Sequence, residues 1–130
     1  MTALDTNVLV RLVVRDHPGQ AEQAAAAIRA EACFVSKTVL LETEWVLRAV
    51  FGYTREQTVE AFLRLESTTN VEFEDSVAAS TATEWHRAGL DFADALHLAS
   101  ARSHGRFASF DVPLRKAARR LGVRPRVSEP

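Results

Sequence analysis

An α/β fold, with a parallel sheet covered by helices on both faces, follows from three features of this sequence. Short apolar stretches of strand length alternate with longer segments whose apolar residues recur at helical spacing. Residues that start and stop helices fall at the junctions between them. No repeat, low-complexity linker or break in composition divides the chain, so residues 1–130 read as one domain.

The elements follow in order. Residues 2–5 read as a strand, and 6–15 as a helix carrying Val8, Leu9, Leu12 and Val13. His17-Pro18-Gly19 breaks the chain before an alanine-rich helix over 20–31. A second strand covers 33–35. Ser36 is placed to cap a helix that runs to Phe51, with Gly52 ending it. Thr54-Arg55-Glu56-Gln57 has the spacing of a capping box and opens a helix to Glu66. Val71-Glu72-Phe73 alternates as a third strand. Asp75 is read as the cap of a helix ending at Gly89, and Asp91 as the cap of one ending at Gly105. Residues 106–110 form a fourth strand, 112–121 a helix and 123–127 a last strand.

Composition narrows the class. A hydrophobic share of 47% with 25% charged residues is that of an ordinary globular chain. No apolar run reaches the length of a membrane span, and Arg11 and Arg15 interrupt the N-terminal stretch, so neither a span nor a signal peptide is expected. The single Cys33 allows no internal disulfide and fits a reducing cytoplasm; beside Phe34 and Val35 it reads as a small buried hydrophobe. A net charge of −1 excludes a uniformly basic nucleic-acid binder. The charge is unevenly spread, however. From Arg102 onward lie eight of the sixteen basic residues against only Asp111 and Glu129, which suits an anionic polymer, although charge alone favours a solvated amphipathic helix with a basic tail.

Four acids stand where an α/β fold gathers function. Ligands of open parallel sheets bind beyond the carboxyl ends of the strands. Asp5 and Asp111 each close a stretch read as strand. Asp111 also suits the N-cap of the helix beginning at Val112-Pro113, a role compatible with metal binding. Glu42 shares a helix face with Val39, Val46 and Ala49, so it is expected in an apolar stripe, whereas Glu44 falls with Lys37 and Arg48 and is expected at the surface. Asp94 is spaced with Leu98 and Ala101 and lies in the first turn of its helix, where the dipole favours negative charge. Asp91 fits a capping role, with direct metal contact as the alternative, and as a cap it could still join the site through water. Two unit charges about 5 Å apart repel by roughly 3 kcal/mol at an effective dielectric of ~20, so clustered carboxylates call for a hard divalent cation.

Taken in order, Leu4-Asp5-Thr6-Asn7-Val8-Leu9, Glu42, Asp91-Phe92-Ala93-Asp94-Ala95-Leu96-His97-Leu98-Ala99 and Ser109-Phe110-Asp111 resemble the PIN-domain ribonucleases, above all the VapC toxins of toxin–antitoxin pairs. The resemblance implies a compact three-layer α/β/α sandwich and an endoribonuclease dependent on Mg²⁺ or Mn²⁺. It implies metal ligands at Asp5 and Asp94, with Glu42 and Asp111 completing the acidic site. Thr6 and Asn7 match the polar pair of the first motif, and Ser109 matches a frequent Thr or Ser. Expected partners are the RNA substrate, a second copy of the chain, and an antitoxin forming a hetero-oligomer with it. Arg102, Arg106, Arg115, Lys116, Arg119 and Arg120 are the candidates for phosphate contacts.

Competing readings are weaker. The histidines at 17, 86, 97 and 104 lack zinc-ligand spacing. His97, one turn beyond Asp94, is placed either to brace it or to be a partly buried structural residue. Trp45, Trp85, Phe92 and Phe107 read as core or interface, with RNA stacking by Trp85 and His86 as the alternative. A phosphatase with a strand-end nucleophile would normally show Asp-x-Asp, but residue 7 is Asn. A receiver-like or non-catalytic Mg²⁺-binding module remains the non-nuclease alternative.

Overall fold

The computed structural model describes all 130 residues. The chain falls into two compact units, Met1–Ser76 and Val77–Pro130. In the first, β1 (Thr2–Ala3), α1 (Thr6–Val14), α2 (Pro18–Ala30), β2 (Cys33–Val35), α3 (Lys37–Ala49), α4 (Arg55–Ser67) and β3 (Val71–Phe73) follow one another. α5 (Ser76–Arg87) begins at the boundary, and the second unit continues through α6 (Phe92–Ser100), β4 (Arg106–Ala108), α7 (Val112–Leu121) and β5 (Arg126–Ser128).

All strand pairs are parallel, as the α/β reading requires. β1 pairs with β2, and β2 with β3, in the order β1-β2-β3; β4 pairs with β5. The single sheet expected from sequence thus divides into a three-stranded and a two-stranded set, because strands of two or three residues have few backbone groups with which to pair.

Local chemistry explains most boundaries. Ser36 Oγ accepts the Val39 N–H and caps α3. Thr54 and Gln57 form a complete capping box at α4, through Gln57 N–H to Thr54 Oγ1 (3.2 Å) and Thr54 N–H to Gln57 Oε1 (2.8 Å). His17-Pro18-Gly19 does not separate loop from helix as expected. Pro18 is the first residue of α2, where a missing N–H costs nothing, and His17 Nδ1 accepts the Gln20 N–H as the cap. α6 stops at Ser100, short of the Gly105 expected, and α3 stops at Ala49 rather than Phe51. The last strand begins at Arg126 instead of 123, following Pro125. Gly122 ends α7 with φ near 67°, a left-handed conformation that glycine adopts without a Cβ clash.

Within the first unit α1 packs on α2 and α3, with Leu9, Val10, Ala21, Leu40 and Leu47 buried. Cys33 is fully enclosed in β2 and burial pushes its thiol pKa up, with the Glu31 charge adding to the effect, so it is the inert packing residue expected. In the second unit the interior residues include Phe92, Ala95, Leu98, Leu114 and Ala118. No helix is long and apolar enough to cross a membrane.

Candidate active site

Two acidic groups emerge, one in each unit. In the first, Asp5 lies two residues beyond β1 instead of within it, at the N-cap of α1. Its carbonyl oxygen accepts the N–H groups of Val8 (3.1 Å) and Leu9 (3.4 Å), but its carboxylate makes no capping bond and is exposed. The helix therefore holds the Asp5 backbone and leaves the acid itself unused. Thr6, the next residue, is buried, and its Oγ1 donates to Glu42 Oε1 at 2.5 Å. This bond ties α1 to α3 and places Glu42 beside the Asp5-Thr6-Asn7 turn. Asn7 is exposed in the same turn.

The helical phasing of α3 requires a correction. Its buried face is Leu40, Thr43, Glu44 and Leu47, so Glu44, expected at the surface, is interior, while Glu42, expected in the apolar stripe, is exposed. The side chain of Glu44 is 4% exposed and accepts from Arg48 Nε at 2.9 Å and Nη2 at 3.4 Å. The misreading arose from counting Val39, Val46 and Ala49 as the core stripe, although none of the three is buried. Glu42 keeps its candidacy on different grounds: it is an exposed acid that accepts a hydrogen bond from the hydroxyl of the motif residue Thr6.

In the second unit, α5 ends in a turn fixed by His86. This histidine is buried, donates from Nδ1 to the Leu90 carbonyl oxygen at 2.7 Å, and meets the Phe92 ring edge-on with centroids 5.6 Å apart. It is a structural residue and not an RNA-stacking one. The turn delivers Asp91 to the N-cap of α6, where Oδ2 accepts the Asp94 N–H at 3.3 Å, the capping role expected. Asp94 is half-buried in the first helical turn. Desolvation raises its pKa above the ordinary carboxylate value, the charges of Asp91 and Asp111 raise it further, and His97 opposes them. His97 itself is exposed, so its bearing on Asp94 is electrostatic and it is not a packed core residue.

Asp111 caps α7, with Oδ1 accepting the Leu114 N–H at 3.0 Å. Ser109 orients it: the Ser109 hydroxyl accepts the Asp111 N–H at 3.0 Å, and the Ser109 carbonyl oxygen accepts from Arg115 at 3.0 Å. The position beside Asp111 is thus a positioning residue, the role its hydroxyl chemistry suits.

None of Asp5, Glu42, Asp91, Asp94 and Asp111 forms an ion pair with lysine or arginine. Of the other acids, Asp16, Glu22, Glu44, Glu60 and Asp75 are each bridged to a lysine or arginine, whereas Glu56, Glu72 and Glu74 are not. No group of three or more His, Cys, Asp or Glu side chains is placed to hold a metal ion. The donor set is nevertheless all oxygen and lacks cationic partners, the chemistry a hard divalent cation prefers.

The basic candidates divide. Arg115 is committed to Ser109 and to Glu129 (3.3 Å), and Arg102 donates to the Ala99 carbonyl oxygen at 3.1 Å. Arg106, Lys116, Arg119 and Arg120 are exposed and make no ion pair or side-chain hydrogen bond. Arg124 and Arg126, which lie beyond the last helix and outside the candidates expected from sequence, are likewise exposed and without an ion pair.

Parallel strands joined by helices, with acids at helix N-caps that lack basic partners, define the chain as an α/β protein with exposed carboxylates. Residues 2–120 match the model of the PIN domain, and the chain belongs to that family. PIN domains are generally metal-dependent nucleases. No curated protein and no solved structure matches the chain.

Proposed function

We propose that this chain is a metal-dependent endoribonuclease, the VapC-type toxin of a toxin–antitoxin pair, in which residues 1–130 act as one catalytic domain. Asp5 and Asp94 serve as ligands of Mg²⁺ or Mn²⁺, with Glu42 and Asp111 completing the acidic set. The observation that carries this reading is the match of residues 2–120 to the PIN family, supported by acids at Asp5, Glu42, Asp94 and Asp111 that have no basic partner. When bound, a divalent cation lowers the pKa of a water and offsets charge on the scissile phosphate.

The chain's own residues prepare that chemistry. The Asp91 and Asp111 caps hold the first turns of α6 and α7, and Ser109 fixes the Asp111 backbone. Thr6 holds Glu42 in place through its hydroxyl, leaving the other Glu42 oxygen for a ligand or an attacking water. The antitoxin and a second copy of the chain are the protein partners of this reading, and cytoplasmic RNA is its substrate.

RNA cleavage by the purified chain should require Mg²⁺ or Mn²⁺, stop with EDTA, and vanish in Asp5→Asn and Asp94→Asn while circular dichroism stays unaltered. Full activity in both variants sinks the assignment. A covalent aspartyl-phosphate with no cleavage would support the phosphatase or receiver reading instead. For the toxin role, induced expression should arrest growth, and co-expression of a neighbouring small DNA-binding protein should relieve it.

A further inference from the structure

α7 is basic along one side. Arg115 and Arg119, and likewise Lys116 and Arg120, are spaced four residues apart, so they form two rows with a rise of about 6 Å between successive cations. Across from them runs β5, carrying Arg126. Between helix and strand lies a groove of about 580 Å³ lined by Arg115, Lys116, Arg119, Arg120 and Arg126. A second hollow of about 360 Å³ shares Arg119 and Arg126 and extends past the C-terminal end of α7 to Arg124. The one acid in its lining, Glu129, is taken by Arg115. Lys116, Arg119, Arg120 and Arg126 are left without partners.

The mouth of this groove is marked by apolar exposure. Val112, the first residue of α7, lines it and is 45% exposed. Two residues earlier, Phe110 is 80% exposed, the most exposed large hydrophobic side chain of the protein. Asp111 stands between them. An aromatic face this open is little used in packing; two residues along the chain from Val112, which lines the groove, it offers a surface on which a base can stack.

We propose that the α7–β5 groove binds the phosphate backbone of single-stranded RNA, with a base stacked on Phe110 at the end where Asp111 lies. The proposal deepens the nuclease reading, on which it rests for the choice of RNA as the polymer. Charge complementarity selects the occupant, since four unpartnered cations line one channel. Phe110 selects its strandedness, because only an unpaired base exposes its face to a side chain. Arg126 and Arg119, shared by both hollows, are the central phosphate contacts.

The test is a binding measurement kept apart from cleavage. The full chain is titrated in EDTA with a fluorescein-labelled single-stranded RNA of roughly 10 nucleotides, within the span such grooves cover, and anisotropy is followed at rising KCl. The Arg119→Ala/Arg126→Ala variant should bind about tenfold more weakly at low salt, and its log K against log[salt] slope should be shallower by about 1.4, or 0.7 for each lost phosphate contact. Phe110→Ala should bind at least about fivefold more weakly with the slope unaltered, and Phe110→Trp should restore affinity. A duplex of the same sequence should bind less well than the single strand. An unaltered slope in the double variant, wild-type affinity in Phe110→Ala, or equal binding of the duplex each overturns the proposal. So does displacement of the RNA by a polyglutamate peptide at equimolar concentration, which would mark an acidic protein as the occupant. Asp94→Asn separates the two readings, because it should bind RNA with the wild-type slope in EDTA yet fail to cleave with Mg²⁺. A chain that binds but never cuts sinks the catalytic reading and leaves the groove standing.

Discussion

The two units use charge in opposite ways. Met1–Ser76 has seven basic and twelve acidic residues, a net of −5, yet its cations are largely paired: Arg11 with Asp16, Arg29 with Glu22, Lys37 with Asp75, Arg48 with Glu44 and Arg64 with Glu60. Val77–Pro130 has nine basic and five acidic residues, a net of +4, and most of its cations are unpaired. Three of its five acids, Asp91, Asp94 and Asp111, also lack a basic partner, and the charges of Asp91 and Asp111 add to the burial that raises the Asp94 pKa. Paired surface charges contribute little to stability and bind little else. Unpaired charges of one sign, concentrated in one unit, are available to a ligand. The contrast leaves most of the unpartnered cations in the second unit, whereas the first keeps five acids without a basic partner: Asp5, Glu42, Glu56, Glu72 and Glu74.

The sharpest way to break this contrast is to remove one acid from each population. Asp94→Asn should lower cleavage well beyond the roughly 10–100-fold that the loss of a supporting partner costs a metal site. Glu60→Ala, which removes half of an exposed i,i+4 pair with Arg64, should leave cleavage unaltered and stability within about 0.5 kcal/mol. Initial rates on one RNA, with urea unfolding of both variants, decide it. Comparable losses in both would show that pairing does not separate structural from functional acids here.

A second comparison lies within α3. Glu44→Ala removes a carboxylate enclosed at the core face and its bonds to Arg48, so it should cost about 1–3 kcal/mol in urea unfolding. Glu42→Ala removes an exposed acid and should shift stability by less than about 0.5 kcal/mol while cutting cleavage tenfold or more. Stability loss confined to Glu42→Ala would restore the phasing first expected from the sequence. Thr6→Val tests the same bond from the other side. Buried in α1, it keeps its shape but loses the hydroxyl that holds Glu42, so activity should fall by a smaller factor than in Glu42→Ala.

The Glu42–Glu44 reversal also shows what a sequence can carry. Caps were legible because they are local: Ser36, Thr54 with Gln57, Asp91 and Asp111 all cap as their residue types and spacing indicate. Two strands, 33–35 and 71–73, and the helix 112–121 fall at the expected residues for the same reason. Burial on a helix is set by what packs against it, and α3 carries apolar residues on more than one face, so hydropathy alone chose the wrong stripe. Hydrogen bonds between distant segments were invisible as well. The Thr6–Glu42 bond spans 36 residues and no local pattern announces it. Motif order supplied the acids as candidates; tertiary packing decided how each is held.

The smallest expected effect bears directly on the unpaired acids. The pKa of Asp94 lies above its ordinary value in the folded chain, through burial first and then the charges of Asp91 and Asp111. Between the unfolded pKa, about 3.9, and the raised one, the folded chain holds a proton that the unfolded chain has released. Metal-free stability attributable to this group is therefore full below the unfolded value and is lost as pH rises through the folded pKa. Solvent reaches much of the side chain, so screening limits the change to under about 1 kcal/mol. Asp94→Asn should abolish that fall and leave the metal-free protein slightly more stable at neutral pH. Added Mn²⁺ should act in the opposite sense, raising the wild-type melting temperature more at pH 7.5 than at pH 5, since only ionised ligands hold a cation. A metal-free melting temperature that climbs across that pH window, with no gain in Asp94→Asn, would show that the neighbouring acids do not burden Asp94 and that its carboxylate is held for some purpose other than a cation.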